Sequence, residues 1–121
     1  KVKILEKFNA RNMNKNITNL RFDILVCDVS FISIKKVIPN CLDVMKKNSL
    51  LIILIKPQFE VGKENLSKGG IVKDTKTHEY ICKDIKKWFA KFTEIKFLGM
   101  IESPITGNKG NKEFLINLLK K

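Results

Sequence analysis

The chain has 121 residues, 44% of them hydrophobic, and a formal net charge of +12 with a pI near 9.8. That length and apolar content suit one globular domain, or part of one, with a modest core, and exclude a disordered tail. The longest apolar run, Leu50 to Ile55, falls far short of the roughly 20 residues of a bilayer span, and Lys1-Val2-Lys3-Ile4 has no signal-peptide apolar region, so a soluble, cytoplasmic protein is the expectation.

Dispersed lysines attract polyanions by neutralising phosphate charge and releasing counterions. Nearly all the positive charge here is lysine, arginine occurring only at Arg11 and Arg21, and asparagine is abundant, so a compositional bias gives much of the same signal. Charge alone leaves nucleic acid and plain solvation evenly balanced, because binding depends on clustering in space. Cys27, Cys41 and Cys82 are odd in number, lack CxxC spacing and sit among apolar neighbours, which reads as reduced core thiols with no metal site.

In chain order, Val2 to Phe8 alternates at period two and reads as a short strand, Asn9 to Asn12 as a loop, and Asn12 to Asn19 as a polar connector. Phe22 to Cys27 is a second, nearly continuous apolar strand that runs into Asp28. A carboxylate at the end of a buried strand is costly unless paired or used. Ser33 is placed to cap a helix with apolar positions Ile34, Val37, Ile38, Cys41, Leu42 and Met45. Pro39 predicts a kink or a late start, and Asn48 a left-handed stop. Leu50 to Ile55 reads as a central strand covered on both faces; it ends at Lys56, and Pro57 forbids further ladder donation. The ammonium of Lys56 is thereby set at the carboxyl edge of a sheet, where open α/β sheets bind ligands.

Val61 to Asp74 is a basic loop with Gly62, Gly69 and Gly70 and with Lys63, Lys68 and Lys73. A loop of that length beside a site is more often functional than linking. Asp74 or Thr75 caps the clearest helix, whose stripe of Ile81, Ile85, Trp88, Phe89 and Phe92 is core; His78, the single histidine, is expected at its surface. Ile95 to Ile101 and Glu113 to Leu119 are the last strands, joined by a loop too short for a parallel crossover and so expected to pair antiparallel. Alternating strands and helices predict a doubly wound α/β sheet, mostly parallel, closed by an antiparallel C-terminal hairpin. Class I methyltransferase folds end in this way, an analogy of fold alone.

Five segments carry a closer likeness: Asp28-Val29-Ser30-Phe31-Ile32-Ser33, Ile55-Lys56-Pro57-Gln58-Phe59-Glu60, Lys68-Gly69-Gly70-Ile71-Val72-Lys73-Asp74, Ser103-Pro104-Ile105 and Gly110-Asn111-Lys112-Glu113-Phe114-Leu115. In that order they resemble the TlyA family, often labelled hemolysin A, among the FtsJ-like ribosomal RNA 2′-O-methyltransferases. The resemblance implies methyl transfer from S-adenosyl-L-methionine to a ribose 2′-hydroxyl, typically of cytidine, in rRNA of the ribosomal subunits. The family uses a Lys-Asp-Lys-Glu tetrad, and Asp28, Lys56 and Glu113 match its last three positions. Its first lysine, the glycine-rich cofactor loop and an N-terminal S4 RNA-binding domain have no counterpart in these residues.

By resemblance, residues 1–121 are therefore a partial FtsJ-like methyltransferase domain: the C-terminal part of a class I, Rossmann-like sheet, lacking its first two strands and the glycine-rich loop. Val2 to Phe8 is its third strand, expected to be displaced or loosely held for want of a neighbour. Asn9 and Ala10 lie near the adenine of the cofactor, Asp28 and Val29 also on the cofactor side, and Lys63, Lys68 and Lys73 are candidates for rRNA phosphates.

The chemistry accounts for the residue types independently. The sulfonium methyl is already electrophilic, so the protein must align the attack and help a weakly acidic hydroxyl lose its proton. A lysine ammonium titrates near pH 10.4, so a neutral lysine base at pH 7 needs about 4 kcal/mol from burial or cationic neighbours, and an adjacent carboxylate acts in the opposite sense. Lys56 is then the group that orients the hydroxyl, with Asp28 accepting the proton and Glu113 holding the third ammonium donor. Alignment contributes about 7–11 kcal/mol to such a transfer and a general base about 3–5.5 kcal/mol. Without the cofactor loop the 121 residues by themselves are expected to bind cofactor poorly and to transfer no methyl. The competing readings are a noncatalytic RNA- or ribosome-binding module and, from the family label alone, a cytolysin.

Overall fold

In the computed structural model, which describes residues 1–121, four strands form one open sheet. They are β1 (Phe22–Cys27), β2 (Met45–Ile55), β3 (Ile95–Glu102) and β4 (Phe114–Lys120), in the spatial order β1-β2-β4-β3. β1 and β2 are parallel, while β4 lies antiparallel between β2 and β3. Three strands therefore run one way and the last returns between two of them, so the final pair is antiparallel as expected.

Two helices connect the strands, α1 (Ile38–Leu42) and α2 (Thr75–Phe89). Pro39 sits in the first turn of α1, which starts late after a 3₁₀ turn at Ile34–Lys36 capped by Ser33. The predicted helix is shortened at its other end too, since Met45 already opens β2. Asn48 does adopt the left-handed conformation (φ 61°), but inside β2, where the β1 ladder jumps from Phe22↔Met45 to Ile24↔Leu50. Asp74 caps α2, its carboxylate accepting from the amide of Lys76.

β2 alternates, with Leu51, Ile53 and Ile55 fully buried and Ile52 on the other face 37% exposed. Both helices pack on the first face: Ile34, Ile38 and Leu42 from one side, and Ile81, Ile85 and Phe89 from the other, join Leu51, Ile53, Ile55, Ile116 and Leu118 in a single core. Each fully buried branched side chain contributes about 1.5–3 kcal/mol. The expectation of a strand covered on both faces is corrected here. Right-handed crossovers that advance in one direction across a sheet place their helices on one side, so the second face, with Ile24, Val26 and Ile101, stays open. Val2 to Phe8 forms no strand; Val2 and Ile4 are exposed and Lys7 has φ 51°, so β1 is an edge. A period of two needs a paired neighbour to become a strand, and β1 bonds only β2.

Candidate active site

The parallel register couples β1 and β2 at Cys27↔Ile53, and both strands stop just beyond it. Their ends carry Asp28 and Lys56 to the same point: Nζ of Lys56 lies 2.6 Å from Oδ1 of Asp28. The ammonium also donates to the hydroxyl of Ser30 at 3.1 Å. Lys56 is largely enclosed, its side chain 14% exposed, whereas the Asp28 side chain is 68% exposed. A lysine fixed by two partners, facing an open carboxylate, leaves its third donor and the second Asp28 oxygen for a ligand. Behind them Cys27 is a thiol, pushed up to about 11 by burial and then by the neighbouring Cys41 and Asp28.

Glu113 immediately precedes β4, and extending the Ile55↔Phe114 ladder by one position sets it opposite Lys56. Its carboxylate does not take the lysine's third donor, as the sequence suggested. It accepts instead from Nε2 of Gln58 at 3.0 Å, both groups being buried. The 3₁₀ turn Pro57–Phe59, forced by Pro57, brings Gln58 back over the end of β4. Gly107 lies against this carboxylate, so closely that a Cβ there would stand 2.3 Å from Oε2 of Glu113. Oε1 of Gln58 is buried without a partner.

A third carboxylate ties the strand-end loops together. Glu60 accepts from the Ser33 hydroxyl at 2.6 Å and from the Ile34 amide at 2.9 Å. Burial raises its pKa, opposed by those two hydrogen bonds and by Lys35. Between Ser30 and Ser33 the chain holds Phe31 in the left-handed region at φ 62°, which a bulky side chain adopts only under constraint. Phe31 is 90% exposed as a residue, and its ring touches Phe59 at a centroid distance of 4.9 Å.

Along the free side of β1 runs an open groove of about 640 Å³, lined by Ala10, Leu25, Val29 and Met45 among other apolar residues, with Lys3 and Asp28 as its charged members. Mostly apolar walls with a few charged groups are the usual make-up of a small-molecule groove. Asn9 turns away from it, capping the turn Ala10–Asn12 by accepting from the Arg11 amide. Lys63, Lys68 and Lys73 are all exposed on the loop before α2.

His78 is the clearest departure from expectation. It is 5% exposed, its Nε2 lies 2.8 Å from the Val72 carbonyl, and its ring packs on Phe114. The signal was present, since position 78 continues the stripe of Ile81 and Ile85 at helical spacing. The roles of Ser30 and Gln58 as partners of Lys56 and Glu113 had no comparable local signal.

The FtsJ-like methyltransferase family profile matches residues 1–120. The chain belongs to that family. It is 36% identical over 118 residues to Hemolysin A of Brachyspira hyodysenteriae, covering 95% of this chain and 48% of that protein. It is 31% identical over 118 residues to the 16S/23S rRNA (cytidine-2′-O)-methyltransferase TlyA of Mycobacterium tuberculosis, covering 96% of this chain and 43% of that enzyme. A solved hemolysin-like protein from Lactococcus lactis superposes with a TM-score of 0.88 at 36% identity, over 97% of this chain and 56% of the other. An O-methyltransferase from Bacillus cereus, solved with SAH, shares the fold at a TM-score of 0.52 and 16% identity, over 88% of this chain and 44% of the other. The chain thus spans less than half the length of the curated relatives it matches. No helix is long and apolar enough to cross a membrane.

Proposed function

We propose that these residues supply the nucleophile-activating half of an rRNA 2′-O-methyltransferase, acting on a cytidine ribose in a ribosomal subunit. The observation that carries this reading is the Lys56 ammonium, enclosed at the carboxyl edge of the sheet and bonded to Asp28 and Ser30. Bound S-adenosyl-L-methionine would supply an electrophilic methyl group. Ala10, Asp28 and Val29 line the groove that would take its nucleoside part.

The methyl would pass from sulfur to the ribose 2′-oxygen, and the hydroxyl proton released in exchange must be taken up by the protein. The remaining Lys56 donor orients the 2′-oxygen, and the open Asp28 oxygen accepts the proton. Glu113, held by Gln58, stands opposite Lys56 across the β2–β4 ladder and keeps that strand end in place. The exposed ring of Phe31, braced by Phe59, offers an unstacked base a face to lie on. Lys63, Lys68 and Lys73 meet rRNA phosphates.

Because alignment outweighs base assistance, the 121 residues alone are expected to be inactive, and an amino-terminally extended protein carrying a cofactor loop to be active. The test is transfer of labelled methyl from S-adenosyl-L-methionine to unmodified ribosomal subunits, with the product mapped by resistance of the 2′-O-methylated linkage to alkali. Activity in the extended protein that disappears with Lys56→Ala supports the proposal. RNA binding without methylation in the extended protein would replace it with the noncatalytic binding module.

A further inference from the structure

Two glycine-bearing loops meet beside the site, and one buried side chain joins them. Asn111 is 4% exposed and every polar atom of its amide is used. Oδ1 accepts from the Val72 amide at 2.9 Å, while Nδ2 donates to the carbonyls of Gly70 and Asn108, each at 3.2 Å. Its own backbone carbonyl accepts from the Gly107 amide at 2.7 Å. The partner at Gly70 belongs to a tight hairpin closed by the Ser67↔Ile71 bridge, with Gly69 and Gly70 at φ 85° and 75°, a conformation that glycine adopts without strain.

The contact is reinforced from both ends. Nζ of Lys109 donates to the Gly69 carbonyl at 3.0 Å, and His78 holds the Val72 carbonyl from α2. Lys109 itself sits at φ 58°, an unusual conformation for lysine that turns its stem toward the hairpin. Lys68 and Lys109, both exposed, therefore belong to one fastened unit. That unit ends at Glu113, two residues past Asn111, in the wall of the Lys56 site.

We infer that Asn111 is a positioning residue: it pins the Ser67–Ile71 hairpin to the Gly107–Asn111 loop, so that Lys68 and Lys109 form a single clamp for RNA phosphates. The RNA identity of the ligand rests on the methyltransferase reading above; the pin itself does not. Two lysines on separate mobile loops lose side-chain and backbone freedom on meeting a phosphate, whereas a preorganised pair loses less. Charge complementarity selects the ligand, since the exposed ammonium groups of the two turns face no acidic partner within 4.0 Å, the nearby Lys112 being the one already paired with Glu102.

The test uses the 121-residue chain, in which hairpin opening is read without any catalysis. Tryptic cleavage after Lys68, measured by mass spectrometry against cleavage in the exposed amino-terminal segment, reports the pin. Binding to unmodified ribosomal RNA over a range of salt concentrations reports the clamp. Asn111→Ala is expected to raise Lys68 cleavage at least tenfold. Lys68→Ala is expected to lower the slope of log affinity against log salt by about one in the wild-type background, and to have little further effect in Asn111→Ala. Lys109→Met removes the hydrogen bond to Gly69 together with one clamp charge, at an exposed position that does not endanger folding, so its cleavage readout keeps the test open if Asn111→Ala fails to fold; it should raise cleavage a few-fold and lower the salt slope by about one through its own lost charge. Unchanged protection in both variants overturns the pin. Strictly additive losses, or no effect of Lys68→Ala on RNA binding, overturn the clamp. A clamp that binds RNA as described in an extended protein that never methylates it would sink the enzymatic reading and leave this inference standing.

Discussion

Replacing Lys56 by methionine separates a catalytic lysine from one that merely fastens two strand ends. At 2.6 Å the gross attraction between Lys56 and Asp28 is about 6 kcal/mol at an effective dielectric of 20. Most of that is offset by desolvation and by water around Asp28, whose side chain is 68% exposed. Net values for such half-open pairs are about 0–1 kcal/mol. Methionine retains the packing of the lysine stem, so Lys56→Met should lower unfolding stability by about 1 kcal/mol or less. The rate should fall by a general-base or hydroxyl-positioning factor of roughly 10² to 10⁴, about 3–5.5 kcal/mol of barrier. The two quantities differ by at least about 2 kcal/mol, which exceeds the error of either measurement. Stability is read by urea unfolding of the 121 residues, and rate by single-turnover methyl transfer in the amino-terminally extended protein. Lys56→Arg sharpens the contrast, because it keeps the charge and the ion pair yet cannot place a compact ammonium on the 2′-oxygen. Retention of more than a tenth of the wild-type rate by Lys56→Met would refute the catalytic assignment. So would a stability loss above about 3 kcal/mol, the cost of breaking a buried pair.

Gln58→Leu leaves the buried Glu113 carboxylate without its donor, and urea unfolding should show a loss of about 2 kcal/mol; no loss would mean the carboxylate finds another partner. Gly107 has φ −78° and ψ −167°, which alanine adopts freely. Gly107→Ala should therefore destabilise by about 1–3 kcal/mol only through its collision with Glu113, and Glu113→Ala in the same chain should abolish the effect in a double-mutant cycle. Burial raises the folded-state pKa of Glu60, so its protonated form stabilises the native state below the ordinary value of 4.5, and that contribution is lost as pH rises through the raised value. The stability of Glu60→Gln relative to wild type should accordingly grow between about pH 4 and pH 7 in denaturant titrations, and a flat difference would contradict the burial argument.

Much of the site was legible because single residues stood where a sheet gives them meaning. A charged residue directly after a run of buried branched ones marks a strand end, and this placed Asp28 and Lys56 on one edge before any pairing was known. The antiparallel last pair followed from loop length alone. The covered second face of β2 was misjudged because a continuous apolar run records what a strand tolerates on both sides, and not which side these residues cover. His78 was misplaced although it continues the Ile81 and Ile85 stripe, because a polar ring at the first turn of a helix is ordinarily solvated, and here the loop at Val72 folds back to satisfy it.

The partners that complete the site lay beyond local reading for a geometric reason. Ser30 and Lys56 are 26 positions apart, Ser33 and Glu60 27, Val72 and Asn111 39, and Gln58 and Glu113 55. No periodicity within one element relates residues at such distances. Register does: β1 and β2 align Cys27 with Ile53, so the same offset of 26 carries Ser30 to Lys56. The β2–β4 ladder carries Glu113 to the same level from the other side. Once strand order is known, counting brings Asp28, Ser30, Lys56 and Glu113 to one edge of the sheet. What counting does not give is how they pair. Pro57 turns the chain at once, so that Lys56 faces β1 and Gln58 faces Glu113. The proline that ends the central strand thus divides the polar groups between two carboxylates, keeping the Asp28–Lys56 pair at the open edge while Glu113 is satisfied within the wall.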